Sequence, residues 1–201
     1  MLRKLAYGSA AAIALWMAPA PVQAQGGFSD SFLFLKAVRE GDGGEVDKLL
    51  SGSGHTMINT KDRDTGNTAL HIVTTGRNLD WLRFFIGKGA RVDMQNKEGM
   101  SPLALAAQIG WVEGASVLLA KKAAIDLPNS RGETPLILAV QKRDLQMVRL
   151  LLGQGADPKK TDRVAGLSAL DYAKRDARSG AILKLLEAPP AEPAAEKKIG
   201  L

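Results

Sequence analysis

The side chains best suited to chemistry are two histidines, His55 and His71, and the chain has no cysteine that could supply a thiol. A thiol nucleophile, an iron–sulfur cluster and a cysteine zinc site are therefore excluded. His55 follows the glycine-rich stretch Gly52-Ser53-Gly54 and has no second ligand at the spacing of a metal motif. We expect His55 to be exposed, and we predict no metal site.

A pair of carboxylates, Asp62 and Asp64, could in principle hold calcium or flank a sugar. The stretch Asp62-Arg63-Asp64-Thr65-Gly66 lacks the closing acidic residue of a calcium loop, and Arg63 stands between the acids. We interpret it as the tip of a hairpin. The sequence carries no G-x-S-x-G, H-E-x-x-H or phosphate-binding glycine motif, so we predict no catalytic residue, no cofactor and no enzyme activity.

These residues lie in a sequence that repeats itself. Four segments align, and their first residues are 33, 33 and 34 positions apart. They are Thr68-Ala69-Leu70-His71, Ser101-Pro102-Leu103-Ala104, Thr134-Pro135-Leu136-Ile137 and Ser168-Ala169-Leu170-Asp171. A glycine precedes each segment by two residues, and two helical patterns follow it, the second one more apolar. The repeating unit is therefore a pair of helices, and because one pair cannot bury its apolar face alone, the units must stack.

Residue types predict where each helix begins and ends. A Ser or Thr hydroxyl can accept from a free backbone N–H at the start of the first helix, where proline also fits. Gly89 and Gly155 follow the second helix, at a place where a left-handed residue commonly closes it. Lys122 takes their place in the third unit. We expect Lys122 to adopt the left-handed conformation and Lys121 to be still helical.

This pattern resembles the ankyrin-repeat family. The stretches that carry the resemblance are Gly66-Asn67-Thr68-Ala69-Leu70-His71, Gly99-Met100-Ser101-Pro102-Leu103-Ala104-Leu105-Ala106-Ala107, Gly132-Glu133-Thr134-Pro135-Leu136-Ile137-Leu138-Ala139 and Gly155-Ala156-Asp157. A degenerate first unit is visible from Leu35 to Leu50. The resemblance implies an all-α fold, a solenoid of about five helix-turn-helix units with short β-hairpin-like loops. The chain departs from the family at Arg77, Arg143 and Ala177, where the turn between helices usually has glycine.

The predicted organisation has four parts. They are a signal peptide at 1–24, a linker at 25–30, a repeat array at 31–187 and a disordered tail at 188–201, with units at about 31–60, 61–94, 95–127, 128–160 and 161–187. The tail is rich in alanine, proline and charged residues, and it is either a plain unstructured end or a tether.

The resemblance also implies roles for particular residues. In the family, the imidazole equivalent to His71 bonds the Thr hydroxyl and a backbone group of the neighbouring hairpin, so we assign His71 a structural role. The residues assigned to the structural motif are Thr68, His71, Ser101, Pro102, Thr134, Pro135 and Ser168. Partners of ankyrin repeats usually meet the hairpin tips and the exposed face of the first helices, which line a concave groove.

The predicted partner-binding residues follow from that placement. They are Arg63, Lys97, Met100, Ile109, Arg131, Gln141, Lys142, Arg143, Arg163 and Arg175. Met100 and Ile109 make the early units more apolar, whereas the later units are basic, so a partner with an apolar spot beside an acidic one would fit. The competing interpretations are a solvated basic face and isolated exposed apolar residues, both of which are common.

The first two dozen residues read as an export signal. Arg3 and Lys4 precede an apolar run, Leu5 to Met17, and Val22-Gln23-Ala24 offers small residues for cleavage. We predict cleavage after Ala24 and a periplasmic or secreted protein. An uncleaved membrane anchor is the alternative, although 13 apolar residues are too few to span a bilayer.

Charge and composition limit the partners. Without residues 1–24 the chain has 25 basic and 21 acidic residues, a net charge of +4. This small charge does not require nucleic acid, and an exported protein would meet little of it. We therefore expect a protein partner, no nucleic acid, no stable membrane insertion after cleavage, and a monomer. The leading hypothesis is a periplasmic module that binds or protects another protein. The alternative is a cell-envelope assembly or structural factor that docks to membrane or wall components.

Overall fold

The computed structural model describes residues 29–187. The predicted signal peptide and tail lie outside this range, and the side chain of His55 is also outside the described part. The described residues form ten α-helices, one 3-10 helix (Gly54–Asn59) and no strand, so the predicted all-α repeat fold is confirmed. The helices are α1 (Asp30–Glu40), α2 (Gly43–Ser53), α3 (Ala69–Thr75), α4 (Leu79–Gly87), α5 (Pro102–Ile109), α6 (Val112–Ala120), α7 (Pro135–Gln141), α8 (Leu145–Gly153), α9 (Ala169–Arg175) and α10 (Gly180–Glu187).

In units two to five, the first helix starts directly after the predicted Ser or Thr. The Ser101 hydroxyl accepts from the N–H of Ala104 at 3.1 Å, and the Thr134 hydroxyl accepts from the N–H of Ile137 at 3.3 Å. Proline occupies the first position of α5 and of α7, where its missing N–H costs no hydrogen bond. These caps fix the direction in which each helix pair leaves its hairpin.

The ends of the second helices show one confirmed and one wrong prediction. Lys122 has φ 60°, in the left-handed region that Gly89 and Gly155 occupy with φ 90°. Lys121 was expected to be helical, but α6 ends at Ala120 and Lys121 is its C-cap, with φ −95° and ψ 18°. The reason is that a left-handed residue at 122 requires the chain to leave the helix one residue earlier.

The turns between the paired helices have a second set of left-handed residues. Arg77 has φ 50°, Gly110 has φ 68° and Arg143 has φ 56°. The three positions are 33 residues apart, so the two arginines adopt the backbone of the glycine that the family usually has there. Each arginine then reaches the following unit: a guanidinium N–H of Arg77 donates to the carbonyl of Ile109.

The helices pack in two layers. The first helices lie side by side, with α3 against α5, α5 against α7 and α7 against α9, while α6 packs between α4 and α8. The core between the layers is apolar, and each buried leucine contributes roughly 2 kcal/mol. Its largest buried members include Leu70, Leu82, Phe85, Leu103, Leu118, Leu136, Met147 and Leu151.

A polar ladder ties consecutive units together beyond this core. The Asn59 side-chain oxygen accepts from the backbone N–H of Arg91 at 2.8 Å, and the Asp93 carboxylate accepts from Ala124 at 2.8 Å. The Asp126 carboxylate accepts in the same way from Asp157 at 3.2 Å. The 31- to 32-residue span of each bond shows that the units stack in one register.

Candidate protein-binding face

Each hairpin is built around one Asp or Asn side chain. The Asn129 side-chain oxygen accepts from the backbone N–H groups of Arg131 and Glu133, both at 2.9 Å, and the Asn129 N–H donates to the Glu133 carbonyl at 2.9 Å. The equivalent residues of the other hairpins are Asp62, Asn96 and Asp162, and each accepts from backbone N–H groups two residues and three or four residues later. The hairpins are therefore closed by bonds within their own sequence.

Neighbouring hairpins are joined by one backbone hydrogen bond at each junction. The N–H of Lys97 donates to the carbonyl of Thr65 at 2.9 Å, and the N–H of Ser130 donates to that of Glu98 at 3.0 Å. The N–H of Arg163 donates to the carbonyl of Arg131 at 2.8 Å. The hairpins thus form a continuous row, which we call the hairpin row.

The glycine of each hairpin makes this approach possible. Gly132 has φ 83°, and a β-carbon on it would lie 2.5 Å from the backbone nitrogen of Arg163. At Gly99, with φ 72°, the corresponding distance to the nitrogen of Ser130 is 2.4 Å. Both positions require a residue without a side chain, first for the left-handed backbone and second for the contact with the next hairpin.

His71 connects the first of these junctions to a helix. Its Nδ1 accepts from the backbone N–H of Thr68 at 3.2 Å and lies 2.9 Å from the Thr68 hydroxyl oxygen. Because Nδ1 is an acceptor, Nε2 carries the proton and donates to the Met100 carbonyl at 2.8 Å. Burial lowers the pKa of His71 and keeps the ring neutral. The contacts of His71 are those that the family resemblance implied.

An exposed row runs along the first helices. It consists of the residues at 33-residue intervals Thr75, Gln108, Gln141 and Lys174. Two contacts join the first helices to the hairpins, one from a residue of this row and one from the half-buried Tyr172. The amide of Gln141 donates to the Glu133 carboxylate at 3.2 Å, and the Tyr172 hydroxyl donates to the Asp162 carboxylate at 2.8 Å. The hairpin tips and the exposed row therefore form one surface, which we call the groove face.

Comparison with known proteins decides the family. A family model for ankyrin repeats (3 copies) matches residues 33–124, 75–162 and 118–193, which together cover more than half of the chain. The chain belongs to the ankyrin-repeat family. An ankyrin repeat protein of fowlpox virus (strain NVSL) is 40% identical over 63 residues, 31% of this chain. The aligned stretch spans only 15% of the viral protein, so the similarity is one of repeats.

Ankyrin repeats are protein–protein interaction modules, and five of the ten predicted contact residues lie on the hairpin tips or in the exposed row of this array. Arg63, Lys97, Arg131 and Arg163 are exposed on the hairpins. Gln141 and Lys142 at the end of α7, and Arg175 at the end of α9, are exposed as well. Whether a partner contacts them stays a prediction.

Three predicted contact residues differ from this pattern. The expectation that Met100 offers an apolar surface is wrong, because its side chain is 2% exposed and packs in the core. Ile109 is half-buried and packs against the same core. Arg143 donates to the Asp176 carboxylate at 2.7 Å, so its charge is already paired with the following unit.

Two acids of the hairpins are buried, which the sequence did not indicate, although Asp162 was expected at a hairpin tip. Glu133 and Asp162 are each 4% exposed. Burial acts to raise the pKa of Asp162, but bonds from the Ala165 N–H, the Tyr172 hydroxyl and the Val164 N–H outweigh it, and the pKa is lowered. The hydrogen bond between the Tyr172 hydroxyl and the Asp162 carboxylate raises the pKa of Tyr172. The regular spacing of Asp62, Asn96, Asn129 and Asp162 in the sequence could have identified Asp162 as the side chain that closes its hairpin.

An ion pair that the sequence did not indicate joins the first unit to the second. A guanidinium nitrogen of Arg39 lies 2.5 Å from the Asp62 carboxylate. The backbone N–H of Thr65 and this guanidinium hold the pKa of Asp62 well below its usual range. Asp62 is therefore a structural anion that orders the hairpin.

Within residues 29–187, no three His, Asp or Glu side chains are grouped so that they could hold a metal ion. No helix in this range has both the length and the apolar character needed to cross a membrane.

Proposed function

We propose that this protein acts in the periplasm as a non-enzymatic module that binds, and thereby holds or protects, a partner protein through the groove face. The family supplies the general role, because ankyrin repeats are protein–protein interaction modules. The location rests on the export pattern of residues 1–24, with its basic start, short apolar run and small-residue cleavage site.

The observation that carries the proposal is a pair of hydrogen bonds between the first helices and the hairpins. Gln141 and Tyr172 each belong to a first helix, yet each donates a side-chain hydrogen bond to a hairpin carboxylate. Helix and hairpin surfaces are thereby fixed relative to each other before any partner arrives. A preorganised surface loses less conformational entropy on binding, which favours affinity.

The arrangement also suits a single partner seated along several units. One residue of the exposed row recurs in each unit from the second to the fifth, and the hairpin bonds keep those units in register. A ligand that spans the units would therefore meet chemically different residues at a fixed spacing. Thr75 and Gln108 offer neutral groups, and Lys174 offers a charge.

A capture experiment with matched variants tests this proposal. The exported protein is immobilised and exposed to periplasmic extract, with Gln108→Trp as a groove-face block and Ser116→Trp, on the exposed side of α6, as its control. We expect one saturable protein partner that is lost with Gln108→Trp and retained with Ser116→Trp. Retention by both variants would reject the groove face as the binding surface.

The same experiment separates the alternative roles. Sedimentation with envelope fragments, unchanged by either substitution, would replace the proposal with a cell-envelope structural factor. Turnover of a substrate by the purified protein would contradict the non-enzymatic role. Covalent cross-linking at residue 108 followed by mass spectrometry identifies the partner that the proposal requires.

A further inference from the structure

Four cations lie on the hairpin tip of the fifth unit and at the ends of the first helices of the last two units. They are Lys142, Arg163, Lys174 and Arg175, which we call the basic patch, and all four are exposed. Within residues 29–187, none of them takes part in an ion pair, although other cations of the same units do. Arg143 pairs with Asp176 at 2.7 Å and Lys160 pairs with Asp126 at 3.1 Å.

Three acids of the last two units are held by bonds within the fold, and the one ion pair that they form within residues 29–187 joins Glu133 to Arg131, at 3.5 Å, rather than to a residue of the basic patch. Asp162 accepts from two backbone N–H groups and from the Tyr172 hydroxyl, and Glu133 accepts from the amides of Asn129 and Gln141. Asp171 accepts from the hydroxyl and the N–H of Ser168, at 2.6 and 3.0 Å. These bonds hold the three carboxylates in the fold.

Asp171 is an acid near two cations of the patch. The bonds from Ser168 are the main cause of its lowered pKa, and the charges of Lys174 and Arg175 add to it. Its carboxylate nevertheless lies in the capping box of α9 rather than in an ion pair with either residue. Asp171 therefore does not pair with the patch, and its cations can meet an external group.

The earlier hairpins differ in charge. Arg63 is followed by the exposed Asp64, and Lys97 is followed by the exposed Glu98, so the tips of the second and third units carry both signs. The hairpin of the fifth unit carries Arg163 and then Val164, whose side chain is 69% exposed. An exposed apolar side chain beside a basic residue, with no acid next to it in the hairpin tip, is thus a feature of the fifth unit.

We infer that the basic patch binds an extended acidic segment of a partner protein, with carboxylates on Lys142, Lys174 and Arg175 and an apolar side chain against Val164. The inference rests on the proposed function of the groove face. Carboxylates complement the unpaired cations and speed association, while the apolar contact fixes where the segment lies. An exposed valine next to Arg163 suits a peptide better than a nucleic acid, which uses aromatic stacking and many more cations.

Peptide titration of the exported protein tests the charge requirement. The probe is a fluorescent 12-residue peptide with four glutamates around a central leucine, and its control has glutamine in place of each glutamate. The patch variant is Lys142→Gln/Lys174→Gln/Arg175→Gln, and the matched variant is Arg83→Gln/Arg149→Gln/Lys184→Gln on the second helices. All six residues are exposed, so both triple variants should keep the circular dichroism spectrum of the original protein.

We expect the patch variant to weaken binding of the acidic peptide by about tenfold and to flatten its salt dependence, with less than about twofold change in the matched variant. Equal losses in the two variants, or equal binding of the glutamine peptide, would overturn the inference. Tighter binding of a twelve-nucleotide oligothymidylate, at the same sites, would also overturn it in favour of nucleic acid.

The apolar contact has its own test. Val164→Ser should weaken binding of the leucine-containing peptide several-fold and should not change binding of a peptide with serine in place of leucine. Equal effects on both peptides would refute the contact. A captured partner whose binding is lost with Gln108→Trp but unchanged in the patch variant would overturn this inference. The proposed function would still stand. If the acidic peptide requires the patch but the protein captures no partner from periplasmic extract, the patch is supported and the proposed function is rejected.

Discussion

The left-handed residues of the hairpin row and those at the ends of the second helices have similar backbones but different surroundings. In the hairpin row, Gly66, Gly99 and Gly132 have φ of 72–83°, and a β-carbon on each would come within 2.8 Å of the next hairpin's backbone nitrogen. At the helix ends, Gly89 and Gly155 have φ 90°, and a β-carbon there would meet nothing within 4 Å.

The sequence follows this difference. The helix-end position contains lysine in the third unit, whereas all three of those hairpin positions contain glycine. A left-handed backbone alone costs a side chain roughly 1–2 kcal/mol, which a stable array can tolerate. A clash with backbone on the facing unit requires the units to separate, which would also break their hydrogen bond. Glycine is therefore essential where units meet and merely favourable where they do not.

The largest expected effect distinguishes the two causes within the hairpin row itself. Gly132→Ala should lower the free energy of unfolding by about 3 kcal/mol or more, because the strained φ and the 2.5 Å contact with Arg163 both act. Gly166→Ala should cost only about 1 kcal/mol, because Gly166 has φ 65° and no described atom within 4 Å. Urea unfolding followed by circular dichroism measures both values.

Gly155→Ala is the control for this pair. It combines a left-handed φ with open space at a helix end, so we expect a cost close to that of Gly166→Ala. If the two hairpin variants lost equal stability, contact with the neighbouring unit would not explain the invariant glycine of the hairpin row.

His71 provides the next largest effect, since it joins units through a side chain instead of a close backbone contact. His71→Ala removes the bonds to Thr68 and to the Met100 carbonyl from a fully buried site, and should cost about 2 kcal/mol at pH 7.5. Ala104 occupies the equivalent position of the third unit, so the alanine itself is compatible with the helix.

The cost of His71→Ala should depend on pH. The pKa of His71 is lowered from 6.5 in the folded state, so the unfolded chain takes up a proton first as the pH falls. The stability that the neutral ring contributes is complete above pH 6.5 and is lost as the pH falls below 6.5 toward the lowered pKa. The difference between original and variant should therefore shrink between pH 7.5 and 5. A difference that grew over this range would mean that the folded protein holds the charged ring.

Local sequence signals predicted the elements of the fold well. Hydroxyl residues and prolines at fixed spacing marked the first-helix starts, and the left-handed conformation of Lys122 followed from its alignment with Gly89 and Gly155. The C-cap at Lys121 was missed because helix ends depend on one residue's backbone, which composition does not determine.

The groove face was less predictable because its properties depend on contacts between units. Met100 follows a hairpin glycine, just as Glu133 does, and nothing local shows that both side chains turn inward. The ion pair between Arg39 and Asp62 crosses 23 residues, and that between Arg143 and Asp176 crosses 33. Charges that look free in the sequence are thereby already paired.

A smaller effect tests the tolerant helix ends. Lys122→Gly should stabilise the protein by about 0.5–1 kcal/mol, because glycine adopts φ 60° without steric cost. The greater entropy of an unfolded glycine, and loss of a positive charge near the helix end, reduce the gain. Lys121→Gly, at an ordinary C-cap backbone, should instead cost about 0.5 kcal/mol. Destabilisation by Lys122→Gly as large as that by Lys121→Gly would contradict the strain assigned to position 122.

Arg143→Gly should have the smallest effect, since strain and a contact between units oppose each other at one residue. Glycine relieves the φ of 56° and gains about as much as at Lys122, but it removes the guanidinium that donates to Asp176 at 2.7 Å. This pair is partly exposed, so its loss costs about 0.2–1 kcal/mol, and the net change should lie within about 0.5 kcal/mol of zero. In an Asp176→Asn background much of the pair's attraction is already gone, and Arg143→Gly should then stabilise the protein nearly as much as Lys122→Gly does. An equal effect of Arg143→Gly in both backgrounds would show that the ion pair contributes nothing, and that the backbone alone sets the cost of a left-handed arginine.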